Sequence, residues 1–388
     1  MQRSILTRTV RLALLLAVLF TAVACDQSPL FYSISNETKR KTAAVPGTPS
    51  RTVRMVTSGS IFVANGKLLK RTGSDWQGAS RPDGGLVRDL AGIGDTLFAL
   101  TVSESDLATK IWKSTDDAVS WGASAIQLDT AASGYDSFDS LFTAGPAGSE
   151  ILFVGAHKSD SDYVILRYDA GASALVPEED GMGAGGILTG AAYLDLTGEY
   201  FLSTESEGIL RGTTLGSLTP ETGTVDSSFI LSGIISVDTD STAGTDTLVA
   251  VGRGESLLLS KDGNPFTSHN KGYIFPGALA VYADGTMNQV LVGIQDGTTY
   301  GFMEIDLTAL SDAADATAVT LNKVGGTSSS TGDYSQFAGS LGTEAVRSLA
   351  YYTIPASVDT ATYGIVFAST VNEGLWSSTN RGNWNLES

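Results

Sequence analysis

Residues 110–121, KIWKSTDDAVSW, decide how this chain is read. Lys110-Ile111-Trp112-Lys113 is a short run that ends at an acidic turn, and Trp121 lies close enough behind the turn to pack under it. Short runs with β-branched and aromatic residues, bounded by turn residues, mark strands. Asp in such a turn accepts backbone N–H bonds, Gly or its substitute allows positive φ, and the aromatic covers the turn from below. The stretch is therefore one corner of a sheet, and variants of that corner recur.

Working outward, a run of apolar, aromatic, apolar and small residues repeats as Ile61-Phe62-Val63-Ala64, Leu97-Phe98-Ala99-Leu100, Leu152-Phe153-Val154-Gly155 and Tyr200-Phe201-Leu202-Ser203. Residues 248–251, 290–293 and 365–368 complete the series. Taken at Phe62, Phe98, Phe153, Phe201, Val249, Leu291 and Val366, the spacings are 36, 55, 48, 48, 42 and 75 residues. Most lie near the ~40–50 residues of a propeller blade. One four-stranded sheet cannot bury both its faces, so sheets stack round an axis until the ring closes. The chain is thus expected to be all-β, a seven-bladed β-propeller of four-stranded antiparallel sheets over residues 52–388. A pair of β-sandwiches is the competing architecture. The long last interval is read as an outer strand at 318–323 followed by an inserted loop within 311–342.

Bulk properties agree with many strands and turns. The 388 residues hold 44 Gly and 10 Pro, and 42% are hydrophobic, enough for a sizeable core. Lys and Arg number 24 against 42 Asp and Glu, a net charge of -18. Such a surface repels phosphate backbones, so nucleic acid is a poor partner. The sole cysteine, Cys25, rules out a disulfide within the chain.

The N-terminus reads as an address. Residues 1–24 carry Arg3, Arg8 and Arg11, then an apolar run from Leu12 to Phe20 that is too short to span a bilayer and is placed like a signal-peptide core. Removing them leaves 21 basic and 42 acidic residues. Ala22-Val23-Ala24-Cys25 resembles the lipobox of bacterial lipoproteins, in which the Cys is lipidated and becomes the new N-terminus. It departs from that pattern at Ala22, where the family most often has Leu, so cleavage after Ala24 by an ordinary signal peptidase stays open. The resemblance implies a lipid on Cys25, membrane attachment and a place in the bacterial cell envelope. Residues 25–51, polar and broken by Pro29, Pro46 and Pro49, read as the lipidated Cys and a flexible tether.

Ser114-Thr115-Asp116-Asp117-Ala118-Val119-Ser120-Trp121 resembles the Asp-box, or BNR repeat, of sialidase-like propellers, with Ala118 in place of the usual Gly. Ser378 to Trp384 and Ser260 to Phe266 are further degenerate copies, and Thr72 to Trp76 is a remnant. In that family the boxes lie at the outer edge and are structural. The family includes sialidases, and related discs occur in photosystem-assembly factors and sorting receptors that bind proteins. Sialidases clamp a substrate carboxylate with three Arg, one in a Phe/Tyr-Arg-Ile-Pro motif; here the nearest string, Tyr273-Ile274-Phe275-Pro276, lacks the Arg.

No catalytic set is legible. His157 and His269 are far apart and read as surface residues, no Gly-x-Ser-x-Gly elbow or P-loop occurs, and no metal or cofactor is expected. Gly181 to Gly186 is read as a blade connection. The acidic turns at Asp160 and Asp162 and at Asp238, Asp240 and Asp246 lack a full calcium loop and are read as solvated. Arg88, Arg211, Arg253 and Arg347 are candidates to face the channel, and Arg88 and Arg347 occupy comparable first-strand places, which makes them the ligand-binding candidates. The reading is a lipid-anchored, non-catalytic scaffold that binds a protein or glycan. The alternatives are a glycan-active hydrolase or lyase of sialidase-like fold without the arginine triad, and a purely structural envelope lipoprotein.

Overall fold

The computed structural model describes residues 43–388 except 136, 160–161, 183–185, 222–229, 240–243, 253–255, 271–273, 284–287, 297–298, 308–319, 325–344, 357, 359–360, 372, 381 and 388. Contacts divide the chain between Thr42 and Ala43 into two units. The expected signal peptide, Cys25 and residues 26–42 of the tether lie outside the described residues, as do Asp160, Asp240, Arg253 and most of the expected inserted loop.

The second unit is a seven-bladed β-propeller of antiparallel sheets. Blade I is built from Val53–Arg54, Ile61–Ala64, Leu68–Thr72 and Asp75–Gly78, and blade VII from Val346–Ile354, Tyr363–Thr370, Leu375–Thr379 and Asn385–Leu386. Blade III is built from Ser137–Ala144, Ile151–Ser159, Asp162–Asp169 and Ala174–Met182, and blades IV, V and VI open with Leu188–Leu194, Leu231–Val237 and Leu279–Ala283. The fourth strand of blade VI, Thr320–Val324, falls where the sequence placed an outer strand. Two blades depart from four strands. Blade II stops at three, Leu86–Ile93, Thr96–Val102 and Thr109–Ser114, because the chain that should form its fourth strand, Gln127–Leu128, instead pairs in parallel with Ala174–Met182 at the edge of blade III.

Sheet stacking explains the repeat. Second strands such as Ile61–Ala64 and Thr247–Gly252 are buried along their whole length, since both faces meet another blade, and so they read as continuous apolar runs. Seven apolar clusters follow, one at each junction between blades, with the last joining Ile354, Ile365 and Phe367 of blade VII to Ile61 and Val63 of blade I. Tyr352 helps close the ring. Its hydroxyl donates to the Thr52 carbonyl at 2.6 Å, and burial pushes its pKa up to about 12.

The turn at Ser114 holds the geometry its residue types imply. Ser114 Oγ donates to Asp116 Oδ1 at 2.8 Å, the Ser120 N–H donates to the same oxygen at 2.9 Å, and Trp121 packs against the apolar cluster between blades I and II. These bonds, led by the Ser120 hydroxyl, lower the Asp116 pKa to about 2. Ala118 sits at φ 59°, a conformation in which Gly would be at ease. Equivalent turns in blades V and VII bury Ser260 and Ser378 and tuck in Phe266 and Trp384.

Two sequence expectations need correction. The packed unit begins at Ala43, nine residues before the expected boundary. Val45 is fully buried, the Ala44 N–H donates to the Glu387 carbonyl at 2.8 Å, and the Leu375 N–H donates to the Val45 carbonyl at 3.2 Å. One buried Val contributes roughly 1.5–3 kcal/mol, so residues 43–51 are a strap across blade VII and not a free leash. The last anchor also slips by one. Ala350 pairs with Phe367 as Ala91 pairs with Phe98, so Phe367, not Val366, is the repeat position.

Candidate functional site: the central channel

The innermost strands share a device that the apolar pattern does not reveal. In blades II, III, IV, V and VII the pairing of first to second strand skips one residue, leaving a β-bulge near the start of the first strand. The skipped residues are Arg88, Asp139, Thr189, Ser232 and Arg347, all polar. A bulge turns its extra residue away from the ladder, and four of the five, Arg88, Thr189, Ser232 and Arg347, line a cavity on the axis. Glycines on the same wall let blades IV to VI approach one another closely. A Cβ at Gly190 would lie 2.8 Å from the Ile234 nitrogen, and one at Gly277, where φ is +98°, 2.1 Å from the Ser232 oxygen.

The resulting channel has a volume of about 620 Å³ and is lined by the strap and by blades II to VII. Its charges fall into two sets. Arg51, on the strap, donates from Nε and Nη2 to both oxygens of Asp89 at 3.2 Å and lies 4.2 Å over the Phe142 ring. Asp89 also accepts the Leu90 and Leu141 N–H groups at 2.9 and 3.1 Å, so its acceptor capacity is well used. Arg88 and Arg347 line the same channel, are exposed, and make no ion pair with a described residue. The structure thus brings the two sequence candidates into one cavity. Thr189 and Ser232 turn their hydroxyls inward, to Ser203 and to the Val251 and Phe275 carbonyls.

Other expectations resolve differently. Arg211 lies on the third strand of blade IV, held between Glu199 at 2.6 Å and Glu221 at 3.0 Å, away from the channel. His269, on the fourth strand of blade V, Thr267–Asn270, is buried, not superficial. His157 is partly exposed and its Nδ1 meets Asp139 Oδ2 at 2.7 Å, a pairing that sequence distance concealed. Asp246 is not a solvated turn residue but a buried acceptor for Thr239 and Lys261. Asp162 pairs with Lys158 and Tyr135. Among the described residues no group of three or more His, Cys, Asp or Glu is placed to hold a metal. Sequence reasoning missed Arg51 and Asp89, since Arg51 closed a stretch read as tether.

The fold and channel define the class: a seven-bladed β-propeller with an arginine-bearing axial cavity. No protein-family model and no curated protein matches the sequence. Solved structures do. The GH74 enzyme of Niastella koreensis is similar at TM-score 0.58 and 15% identity over 89% of this chain; the chain spans about half (55%) of that structure. YCF48 of Cyanidioschyzon merolae is similar at TM-score 0.50 and 13% identity, over 86% of this chain and 96% of the other. Raptor of Chaetomium thermophilum is similar at TM-score 0.51 and 13% identity, over 88% of this chain and 28% of the other. At such identities the likeness concerns fold alone.

Proposed function

We propose that this chain is a lipid-anchored protein of the bacterial envelope whose propeller is a non-catalytic scaffold, holding an acidic group of a protein or glycan partner at the channel mouth. The observation that carries the binding half is the division of charge in the channel. The lining carboxylate, Asp89, is tied to Arg51, while Arg88 and Arg347 have no counter-charge among the described residues, in a protein of net charge -18. A guanidinium fork suits carboxylates. Glycoside hydrolysis by the usual route needs two working carboxylates about 5–9.5 Å apart, and a carboxylate locked by Arg51 serves poorly as one.

The address rests on Ala22 to Cys25 and the preceding apolar run. The turns of blades II, V and VII support the Asp-box reading, because each buries its Ser, and its aromatic is buried in blades V and VII and half-buried in blade II. Mass spectrometry of the membrane fraction is expected to find diacylglyceryl on Cys25; an unmodified Cys25 there overturns the anchor. An array of protein and glycan probes from the envelope is expected to give binding that Arg88→Ala and Arg347→Ala each weaken. Binding that ignores both substitutions overturns the channel assignment. The enzymatic alternative keeps one supporting observation, the Asp139–His157 pair, with Asp139 at the bulge of an innermost strand. Turnover of a fluorogenic glycan that disappears in Asp139→Asn would favour it.

A further inference from the structure

The strongest further observation is a gap in a pattern at the blade junctions. Across from the second-strand Phe, the third strand of the first four blades carries a cation: Lys70 opposite Phe62, Lys113 opposite Phe98, Arg167 opposite Phe153 and Arg211 opposite Phe201. Lys70, Lys113 and Arg211 each bond to a group of the next blade. Lys70 meets Asp117 in the turn of blade II at 2.9 Å. Arg167 meets the buried Glu178 at 3.1 Å, and Glu178 in turn accepts the Gly216 N–H of blade IV. Arg211 joins Glu199 and Glu221 and donates to the Gly263 carbonyl of blade V at 3.2 Å. Three of the four cations therefore have carboxylates.

Lys113 is the exception. Its ammonium donates to the Tyr168 hydroxyl at 3.0 Å and makes no ion pair with a described residue. The nearest candidate by position is Asp169, whose Oδ1 instead accepts the Gly171 and Ala172 N–H groups of its own turn. Where the carboxylate is missing there is space: a cleft of about 490 Å³ between blades II and III. Its floor is the buried Phe98 and Leu152, Ile93 and Ile151 add apolar walls, and Tyr168 stands 5.5 Å from the Phe98 ring. Glu150 lines the same cleft, and its Oε2 is shielded from solvent and accepts no hydrogen bond from a described residue. Shielding an acceptor with no donor is costly, and such a group calls for an explanation. This is also the junction at which blade II gives up its fourth strand to blade III.

We infer that the cleft between blades II and III is a binding site for a small zwitterion of the amino-acid or short-peptide class. The ligand's carboxylate takes the place beside Lys113 that Asp117 takes beside Lys70. Its ammonium donates to Glu150, and its side chain lies on Phe98 and Leu152. A cleft of this volume, with an apolar floor and a few separate polar handles, has the usual make-up of a small-molecule site. The site is independent of the channel.

The test uses the full chain in detergent and, as probes, the twenty amino acids and a set of dipeptides, each at about 10 mM, where a ligand held by the native state raises the melting temperature. One or more apolar zwitterions are expected to raise it. Titration of the best probe is expected to weaken at least about tenfold, or 1.4 kcal/mol, in Lys113→Met and again in Glu150→Gln. Binding is expected to be unchanged in Arg88→Ala, which separates this site from the channel. The N-acetylated and C-amidated forms of that probe, read on the unsubstituted protein, are each expected to lose binding, which decides the matter even if a variant folds poorly. No shift with any probe, or binding that survives Lys113→Met or either blocking group, overturns the inference.

Discussion

At the junctions after blades I to IV a cation stands across from the second-strand Phe, whereas after blades V to VII the same register holds Leu259, Glu304 and Ser377. The first half of the ring is clamped by charge laid over aromatic rings: Lys70 is 5.7 Å above Phe62 and Arg211 is 5.1 Å above Phe201. In blade V the junction is closed by apolar burial, with Val249 and Leu259 both inaccessible. The two solutions serve the same geometry but fail differently. An apolar contact that is truncated leaves a cavity, while a clamp that loses one charge leaves its partner unsatisfied. A cation that never had a carboxylate should hardly be missed by the fold.

That difference sets an order of effects. Leu259→Ala is expected to cost the most, about 3 kcal/mol by urea denaturation, because the side chain is fully buried among blades V and VI. Arg211→Ala should follow at about 2 kcal/mol, since Glu199 and Glu221 lose their shared counter-charge. A loss as small as that of a surface residue would break the comparison.

Asp117→Asn should cost about 1 kcal/mol near neutral pH and less in acid. Burial alone would raise this carboxyl; Lys70, Ser60 and Ser58 outweigh it and hold its pKa below the model-compound value of 3.8. With the folded value depressed, the contribution is complete above 3.8 and is lost as pH falls through the folded value. Denaturation midpoints of the two proteins should therefore converge below pH 3.8. A difference that grows in acid would reverse the sign assigned to Asp117. Smallest of all, Lys113→Met should shift stability by no more than about 0.5 kcal/mol in the absence of ligand. A cost like that of Arg211→Ala would mean that Lys113 already has its counter-charge.

Much of the ring was legible in the chain, and particular residues show why. Phe62, Phe98, Phe153 and Phe201 mark second strands because burial on both faces favours apolar side chains there. Blade VII was caught one residue out of step, at Val366 instead of Phe367, because both neighbours are apolar and register depends on pairing. Arg88 and Arg347 were identifiable as first-strand cations of like position. The other charged pair of the channel was not, for Arg51 and Asp89 meet across 38 residues and the strap carries no strand pattern. The pairing of Asp139 with His157 was hidden for the same reason.

The sequence alone determined the number of blades and the turn chemistry, because hydrophobic periodicity and hydrogen-bonding side chains act over a few residues and repeat with each sheet. Only the tertiary structure decided which charges meet. It set the bulges that aim Arg88 and Arg347 into the axis, tied residues 43–51 to blade VII, and gave Lys113, among the described residues, no carboxylate of the kind its counterparts have. Those outcomes depend on how neighbouring sheets come to face one another, and a one-dimensional pattern holds no record of which side chains that stacking brings within a few ångströms.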